Sequence, residues 1–389
     1  MRHLGSYRKV APVLARTVAV VAVVTIAAPG TTARGVVPGR VAGATAPGTT
    51  KRAAASGLVA RAAASGLAAG AGAPHAAAEA VVCTPPVFVE NWGSEGPGDG
   101  QFQRPHGVAV DYARNVYVAD TRNNRIQVFA PDGTFLRKWG TLGSAPGVNL
   151  SWPHGIGILP NGDVAVSDTR NNRVQIFTSN GGFVRTFGSK GGAPGFFNKP
   201  IGLATDASGH IFVCDTFNDR VQIFSQDGRL LRVFGGPGSG AGQFQEALDG
   251  FVAPDGFFYV TDVGNQRVQK FTNDGVFVLA WGSAGSGPGQ FLTPHVVAVG
   301  PSGRIFVTDE FNHRVQVFDA SGGYCMQFGS LGGGNGQFYG PMGIAVDSGG
   351  VIYVADSTNH RISRWVLGQA TPTPADTWGG LKSRYRRAP

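Results

Sequence analysis

A segment of this chain recurs six times at a nearly constant spacing. The stretch "VYVADTRNNRIQVF" at 116–129 returns at 164–177, 211–224, 258–271, 305–318 and 352–365. The Asp of each copy lies at 120, 168, 215, 262, 309 and 356, so that successive copies are 47 or 48 residues apart. A constant period of this length is typical of an array of similar supersecondary units that pack on their neighbours.

Each unit contains four short strands rich in Val, Ile and Phe, separated by turn residues. The fourth strand ends in an aromatic–Gly pair in the first five units, whereas the sixth unit runs into prolines after Trp365. A matching strand, "PVFVENWG" at 86–93, precedes the first unit. The sequence therefore predicts an all-β ring of six four-stranded blades, in which this N-terminal strand completes the last blade and removes the exposed edges.

These repeats resemble the NHL repeat, whose pattern ends the second strand in Asp and follows it with Asn and Arg. The resemblance covers about 84–367 and recurs in all six units. It implies a six-bladed β-propeller, and it implies no particular activity, because propellers carry many functions.

The segments outside the repeats differ sharply in composition. Residues 1–29 combine a basic start with a short apolar core at 17–29, which predicts an export signal or, alternatively, an uncleaved signal anchor. The Ala/Gly-rich stretch 30–82 is expected to be a disordered tether, the propeller to occupy 83–367, and 368–389 to be a disordered Pro/Thr and basic tail. We therefore expect a secreted or extracytoplasmic protein, held at a membrane only if the signal stays uncleaved.

The charge and cysteine content argue against two functions of NHL proteins. The net charge is +9, but 1–82 contribute +8 and 366–389 contribute +3, which leaves −2 for the repeats. RNA binding requires a basic surface, and a ubiquitin ligase RING requires clustered Cys and His ligands. Three scattered cysteines cannot supply them: Cys214 is expected to be a small buried residue, and the roles of Cys83 and Cys325 stay open.

The repeated Asp-x-x-Asn-x-Arg turn is interpreted as structural. Asp at a strand end accepts backbone N–H bonds, Asn tolerates left-handed backbone geometry, and Arg can bridge back to the Asp. A feature that is present in all six units belongs to the scaffold, and one carboxylate per turn is a poor calcium site.

Candidate site residues lie where the units differ. The residue that follows the start of each innermost strand is, in order, His106, His154, Ile201, Leu248, His295 and Met342, and unit four places Asp249 beside it. Innermost strands line a propeller's central channel, so these histidines are expected to crowd one channel mouth as rim residues. The variable turn residues on the same face are Arg122, Arg170, Phe217 and Phe311. The two arginines suit a carboxylate or another anion, or are merely solvated.

The Pro-His pairs at His106, His154 and His295 also resemble those of peptidyl-hydroxyglycine amidating lyase. That resemblance implies that the three histidines bind zinc and that the protein is a zinc-dependent lyase. The sequence departs from the lyase in two ways: the histidines fall in units one, two and five, and the turns "DTRNN" and "DTFND" contain no tyrosine.

The residues leave several functions open. The expected one is a monomeric extracytoplasmic module that binds a protein, peptide or cell-envelope ligand at the channel-mouth face, without nucleic acid. The alternatives are the zinc lyase and, less favoured, an RNA-binding or ubiquitin-ligase-associated protein.

Overall fold

The structure, a computed structural model, describes residues 83–368 of the 389-residue chain. The predictions made for 1–29 and 30–82, and for the tail beyond Gly368, lie outside these described residues. Within 83–368, no helix has the length and hydropathy needed to cross a membrane.

Six four-stranded sheets form the blades of a propeller. Strand β1 is Val87–Trp92. Blade one comprises β2 (Pro105–Val110), β3 (Val116–Asp120), β4 (Arg125–Phe129) and β5 (Phe135–Trp139). Two short parallel strands, β6 (Thr141–Leu142) and β7 (Asn149–Leu150), lie in the connection to blade two. Blade two comprises β8 (Pro153–Ile158), β9 (Val164–Asp168), β10 (Arg173–Phe177) and β11 (Phe183–Phe187).

The remaining blades repeat this order. Blade three comprises β12 (Leu203–Thr205), β13 (Ile211–Asp215), β14 (Arg220–Phe224) and β15 (Leu230–Gly235). Blade four comprises β16 (Ala247–Val252), β17 (Phe257–Asp262), β18 (Arg267–Thr272) and β19 (Phe277–Trp281). Blade five comprises β20 (Pro294–Val299), β21 (Ile305–Asp309), β22 (Arg314–Phe318) and β23 (Tyr324–Phe328). Blade six comprises β24 (Pro341–Val346), β25 (Val351–Asp356) and β26 (Arg361–Val366), joined by β1.

Five 3-10 turns join the second and third strands of their blades. They are Thr121–Asn123, Thr169–Asn171, Thr216–Asn218, Glu310–Asn312 and Ser357–Asn359. In five blades the start of the innermost strand pairs with the Asp that ends the second strand, as in Pro105 opposite Asp120, which puts these turns at one face of the ring. We call this the turn face.

The core is divided among the seams between adjacent blades. At the first seam, Tyr117 and Val128 of blade one pack with Ile156 and Phe177 of blade two, and all four are buried. The second and third strands are covered by a blade on each side, which is why they are apolar runs rather than alternating patterns. Each such side chain contributes roughly 1.5–3 kcal/mol through burial.

Strand β1 closes the ring, as the sequence predicts. It pairs antiparallel with β26, with Val87 opposite Val366 and Trp92 opposite Ile362. A disulfide that the sequence left open joins Cys83, just before β1, to Cys325 in β23, with Cα atoms 5.8 Å apart. The closing strand is thus attached both to its own blade and to blade five.

The Asp-x-x-Asn-x-Arg turn is structural, as interpreted from the sequence. In blade one, Arg125 Nε lies 2.7 Å from Asp120 Oδ2, and the same guanidinium donates to the carbonyls of Pro97 and Gly98 in the incoming loop. The left-handed residue, however, is Asn124 at φ 56°, one position after the repeated Asn123. The motif therefore fastens each inter-blade loop to its blade.

That left-handed residue also bonds to the next blade. Its side chain accepts a hydrogen bond from the backbone N–H of the residue that precedes the next innermost strand, which itself has a positive φ. The six pairs are Asn124 with Trp152, Asn172 with Lys199, Asp219 with Glu246, Gln266 with Thr293, His313 with Gly340 and His360 with Arg104, at 2.7–3.2 Å. We call these six contacts the seam hydrogen bonds.

Candidate functional site

The structure brings the three candidate histidines together but buries them. The ring of His106 lies 4.3 Å from that of His154 and 4.5 Å from that of His295, measured between centroids. Their residues are only 8%, 3% and 5% exposed, respectively. The prediction that these histidines lie on the rim of the channel was therefore wrong. The innermost strands start so close to the axis that their side chains cover one another.

Burial keeps this cluster neutral. It lowers the pKa of His154 to about 4 and that of His295 to about 3, and burial together with the other two rings holds the pKa of His106 well below its usual range. His154 Nδ1 lies 2.8 Å from the Trp152 carbonyl, which fixes the tautomer with hydrogen on Nδ1. Nδ1 of His295 is buried without a hydrogen-bond partner.

The histidine cluster does not fit a zinc site. His154 and His295 both pack against His106 in T-shaped arrangements, in which the edge of one ring meets the face of the other. Zinc ligands must instead direct one nitrogen each at a common point. Among the described residues, no group of three or more His, Cys, Asp or Glu side chains is placed to hold a metal ion.

Asp249 differs from its counterparts in the other blades. Gly107, Gly155, Gly202 and Gly343 hold the equivalent position, where space is scarce: a Cβ on Gly107 would come within 2.0 Å of the His154 carbonyl oxygen. Blade five carries Val296 at this position, so Asp249 is the one charged residue among the six. The strand pairing shifts here in blade four, between Ala247 and Gly250, as it does in blade one, between Pro105 and Val108. Burial raises the pKa of Asp249 to about 7, although the N–H groups of Gly250 and Leu203 bond to its carboxyl group.

A cavity of about 330 Å³ extends along the central channel from this level. At one end it is lined by His106, His154 and Asp249, and at the other by Tyr112 and Ser348. Tyr112 is 80% exposed, so the cavity opens at the face opposite the turn face. The histidines therefore close one end of the channel and do not lie on its rim.

The predicted arginines lie on the turn face with partners that the sequence did not reveal. Arg170 is exposed, and its guanidinium lies 3.5 Å from the centre of the Trp152 ring. In blade three, Lys199 Nζ lies 4.7 Å from the ring centre of Phe217, which is 37% exposed. Stacking of this kind holds a cation in place while leaving it available to a ligand.

Blade one adds two further cations to this sector. Arg122 is exposed, and its pKa is lowered by the partial desolvation of its guanidinium and by the nearby charge of Arg104. We define the basic sector as Arg104, Arg122, Arg170 and Lys199. Within the described part of the chain, none of these four side chains forms an ion pair with a carboxylate.

The turn face is acidic on its other side. Burial raises the pKa of Glu310 in blade five to about 7, against the opposing charge of Arg104. Burial and Asp219 likewise raise the pKa of Glu246 in blade four. The predicted Phe311 is 50% exposed beside Glu310 and lies outside the basic sector.

Sequence reasoning missed Arg104, Trp152 and Lys199 as site residues. All three immediately precede a proline, which starts the innermost strand in blades one and two and lies three residues before it in blade three, and all three have a left-handed backbone. The proline marked the position, and reading the residue before it round the ring would have found them.

Comparisons with known proteins agree with this architecture. The NHL repeat model matches 102–129, 150–177, 197–224, 250–271, 291–318 and 338–365. Protein lin-41 of Caenorhabditis elegans is 51% identical over 47 residues, which are 12% of this chain and 4% of that protein. E3 ubiquitin-protein ligase TRIM71 of Gallus gallus is 56% identical over 48 residues, which are 12% of this chain and 6% of that protein. The aligned segments thus span only a small part of these relatives.

A solved structure shows the same fold. A Bacteroides thetaiotaomicron protein of unknown function superposes with a TM-score of 0.55 at 18% identity, over 71% of this chain and 75% of that one. Since six NHL repeats here form six blades closed by β1, the chain belongs to the NHL-repeat β-propeller family.

Proposed function

We propose that this protein is an extracytoplasmic binding module whose turn face holds an acidic segment of a protein or peptide. The observation that carries the proposal is the basic sector, in which four cations on three adjacent blades form no ion pair with a carboxylate among the described residues. Of the four, Arg104 also interacts with the charge of Glu310, so that Arg122, Arg170 and Lys199 are the most available to a ligand. Two of these cations stack on aromatic rings. Carboxylates are the complementary groups, and Arg binds them in a bidentate manner.

The electrostatics of the turn face would also orient such a ligand. Glu246 and Glu310 lie on blades four and five, outside the basic sector, with Glu310 close enough to Arg104 for their charges to interact. Both carboxylates repel a second acidic stretch when ionised. A charge distribution of this kind steers association and fixes direction more than it adds affinity. Single charge changes are therefore expected to act mainly on the association rate and its salt dependence.

A fluorescent decaglutamate peptide tests the proposal, with binding followed by anisotropy at low and moderate salt. The Arg122→Glu/Arg170→Glu double variant should bind at least tenfold more weakly than wild type, with a smaller salt dependence. Arg229→Glu is the matched control, because Arg229 is exposed in the turn between the outer strands β14 and β15, on the opposite face. Equal loss in the control, or tighter binding of a single-stranded RNA of equal charge, would contradict the proposal.

The extracytoplasmic part of the proposal rests on two features. One is the basic start and short apolar core at 1–29. The other is the Cys83–Cys325 disulfide, since disulfides persist in oxidising compartments. Fractionation of cells expressing the full chain should find the protein outside the cytosol. Cytosolic protein with an intact N-terminus would refute the location and leave the binding proposal standing.

A further inference from the structure

The channel cavity has the features of a small-molecule site that is separate from the turn face. Its volume of about 330 Å³ falls within the range of natural ligand pockets, and its walls are mainly Val, Ile, Leu and Ala side chains from the innermost strands. One end is closed by His106 and His154, and the other opens beside the exposed Tyr112. A ligand that enters would place one end against a few polar groups and its body against apolar walls.

The charged residues that line this cavity are all acidic. They are Asp111, Asp249 and Asp347, and no Lys or Arg lies among the lining residues. Asp347 is neutralised by Arg114, whose Nη2 lies 2.6 Å away, and Asp111 accepts hydrogen bonds from Asn115 and from the Tyr117 hydroxyl. Asp249 receives only backbone N–H groups. The closed end of the cavity therefore holds a carboxyl group with no cation beside it.

The neighbouring imidazoles complement a cation as well. Because the cluster is neutral, it does not repel positive charge, and a neutral imidazole nitrogen accepts a hydrogen bond from an N–H donor. The ionised form of Asp249 would repel an anion, and an uncharged ligand would do nothing to offset the burial that raises the pKa of this carboxyl group to about 7. An ammonium group, in contrast, favours the ionised form.

We propose that the channel binds a small organic amine in its ammonium form, with the charged nitrogen at Asp249 and the hydrocarbon body along the channel walls. The position of Asp249 supports this assignment. Four other blades keep glycine at the equivalent position and blade five carries Val296, so a charged group there is an exception to the scaffold rather than part of it.

The test compares three ligands of equal chain length on the full-length protein by calorimetry: n-hexylammonium, n-hexanol and n-hexanoate. We expect the ammonium to bind at least tenfold more tightly than the alcohol and hexanoate to bind most weakly. Equal binding of the alcohol, or no binding of the ammonium, would overturn the proposal without any variant.

A pair of variants locates the site. Asp249→Asn keeps an oxygen acceptor for the Gly250 and Leu203 N–H groups but removes the charge, and should weaken n-hexylammonium binding at least tenfold. Asp255→Asn removes a charge from the exposed turn of the same blade, outside the cavity, and should leave binding unchanged. Equal affinity of the Asp249→Asn protein and wild type would overturn the assignment. Melting curves of both variants check folding.

Discussion

The backbone N–H of Arg104 donates a hydrogen bond to Nδ1 of His360 across a distance of 3.2 Å, at the seam between blades six and one. The two residues are 256 positions apart in sequence and meet only because the ring is closed. The same contact occurs at each of the other five seams, with Asn, Asp, Gln or His as the acceptor. The left-handed position thus accepts several residue types, provided that the side chain offers an acceptor.

This relationship predicts how substitutions of His360 behave. His360→Ala leaves the part-buried Arg104 N–H without its acceptor and should lower the free energy of unfolding by roughly 1 kcal/mol. His360→Asn installs the residue that blades one and two use at this position, and should restore most of the loss. Urea denaturation measures both variants. Equal destabilisation by Ala and Asn would show that the hydrogen bond is not what stabilises the seam.

The buried histidines predict a dependence of stability on pH. His154 has a pKa of about 4 in the folded protein against 6.5 when unfolded, so the unfolded chain binds the proton first as the pH falls. Its contribution is complete above pH 6.5 and is lost towards pH 4, by up to about 1.4 kcal/mol per pH unit. Asp249 and Glu310 have raised pKa values and act in the opposite sense. To isolate the effect of His154, the free energy of unfolding of wild type must be compared with that of a variant that lacks this histidine.

That difference is the destabilisation caused by His154→Gln, from urea denaturation at pH 7.5, 6 and 5. Glutamine retains hydrogen-bonding capacity but does not titrate in this range. The difference in the free energy of unfolding between wild type and variant should become smaller as the pH falls. If this difference in free energy stays constant from pH 7.5 to 5, His154 is not held neutral by burial.

The sequence predicted the ring and its closure because both depend on repetition. The constant spacing of Asp120 and its five counterparts fixes the unit, and Trp92-Gly93 matches the aromatic–Gly ends of the other outer strands. The burial of His106 could not be predicted in this way, since it depends on how closely six strands approach the axis. The disulfide also escaped prediction, because Cys83 and Cys325 are 242 positions apart and become neighbours only through β1.

The disulfide predicts that the closing strand is sensitive to reduction. Linking residues 242 positions apart restricts the unfolded chain strongly, by about 5.5 kcal/mol in the chain-entropy model. The melting temperature should fall on adding dithiothreitol, and the Cys83→Ser/Cys325→Ser variant should melt at the reduced value regardless of reductant. If wild type melts identically with and without reductant, the bond does not contribute to stability.

Removal of the closing strand itself should have a larger effect. Deletion of 83–93 leaves blade six with three strands and an unpaired edge on β26, so the protein should melt earlier and self-associate. Deletion of 30–82 is the control and is expected to change melting very little. Light scattering and calorimetry distinguish these outcomes, and a monomeric 83–93 deletion that melts like wild type would contradict the role of β1.

The histidine cluster itself allows a paired measurement of stability and zinc content. His154→Ala removes the donor to the Trp152 carbonyl and opens a hole against His106, so it should cost about 1–3 kcal/mol. His295→Ala also removes packing, but it removes a buried Nδ1 that has no hydrogen-bond partner as well. Because losing that unsatisfied atom is favourable, the variant should be destabilised less than His154→Ala. Because the rings pack edge to face, purified wild type should contain less than stoichiometric zinc, and the variants should not change that content. Stoichiometric zinc in wild type that disappears in His106→Ala, His154→Ala and His295→Ala alike would instead establish a metal centre and favour the lyase.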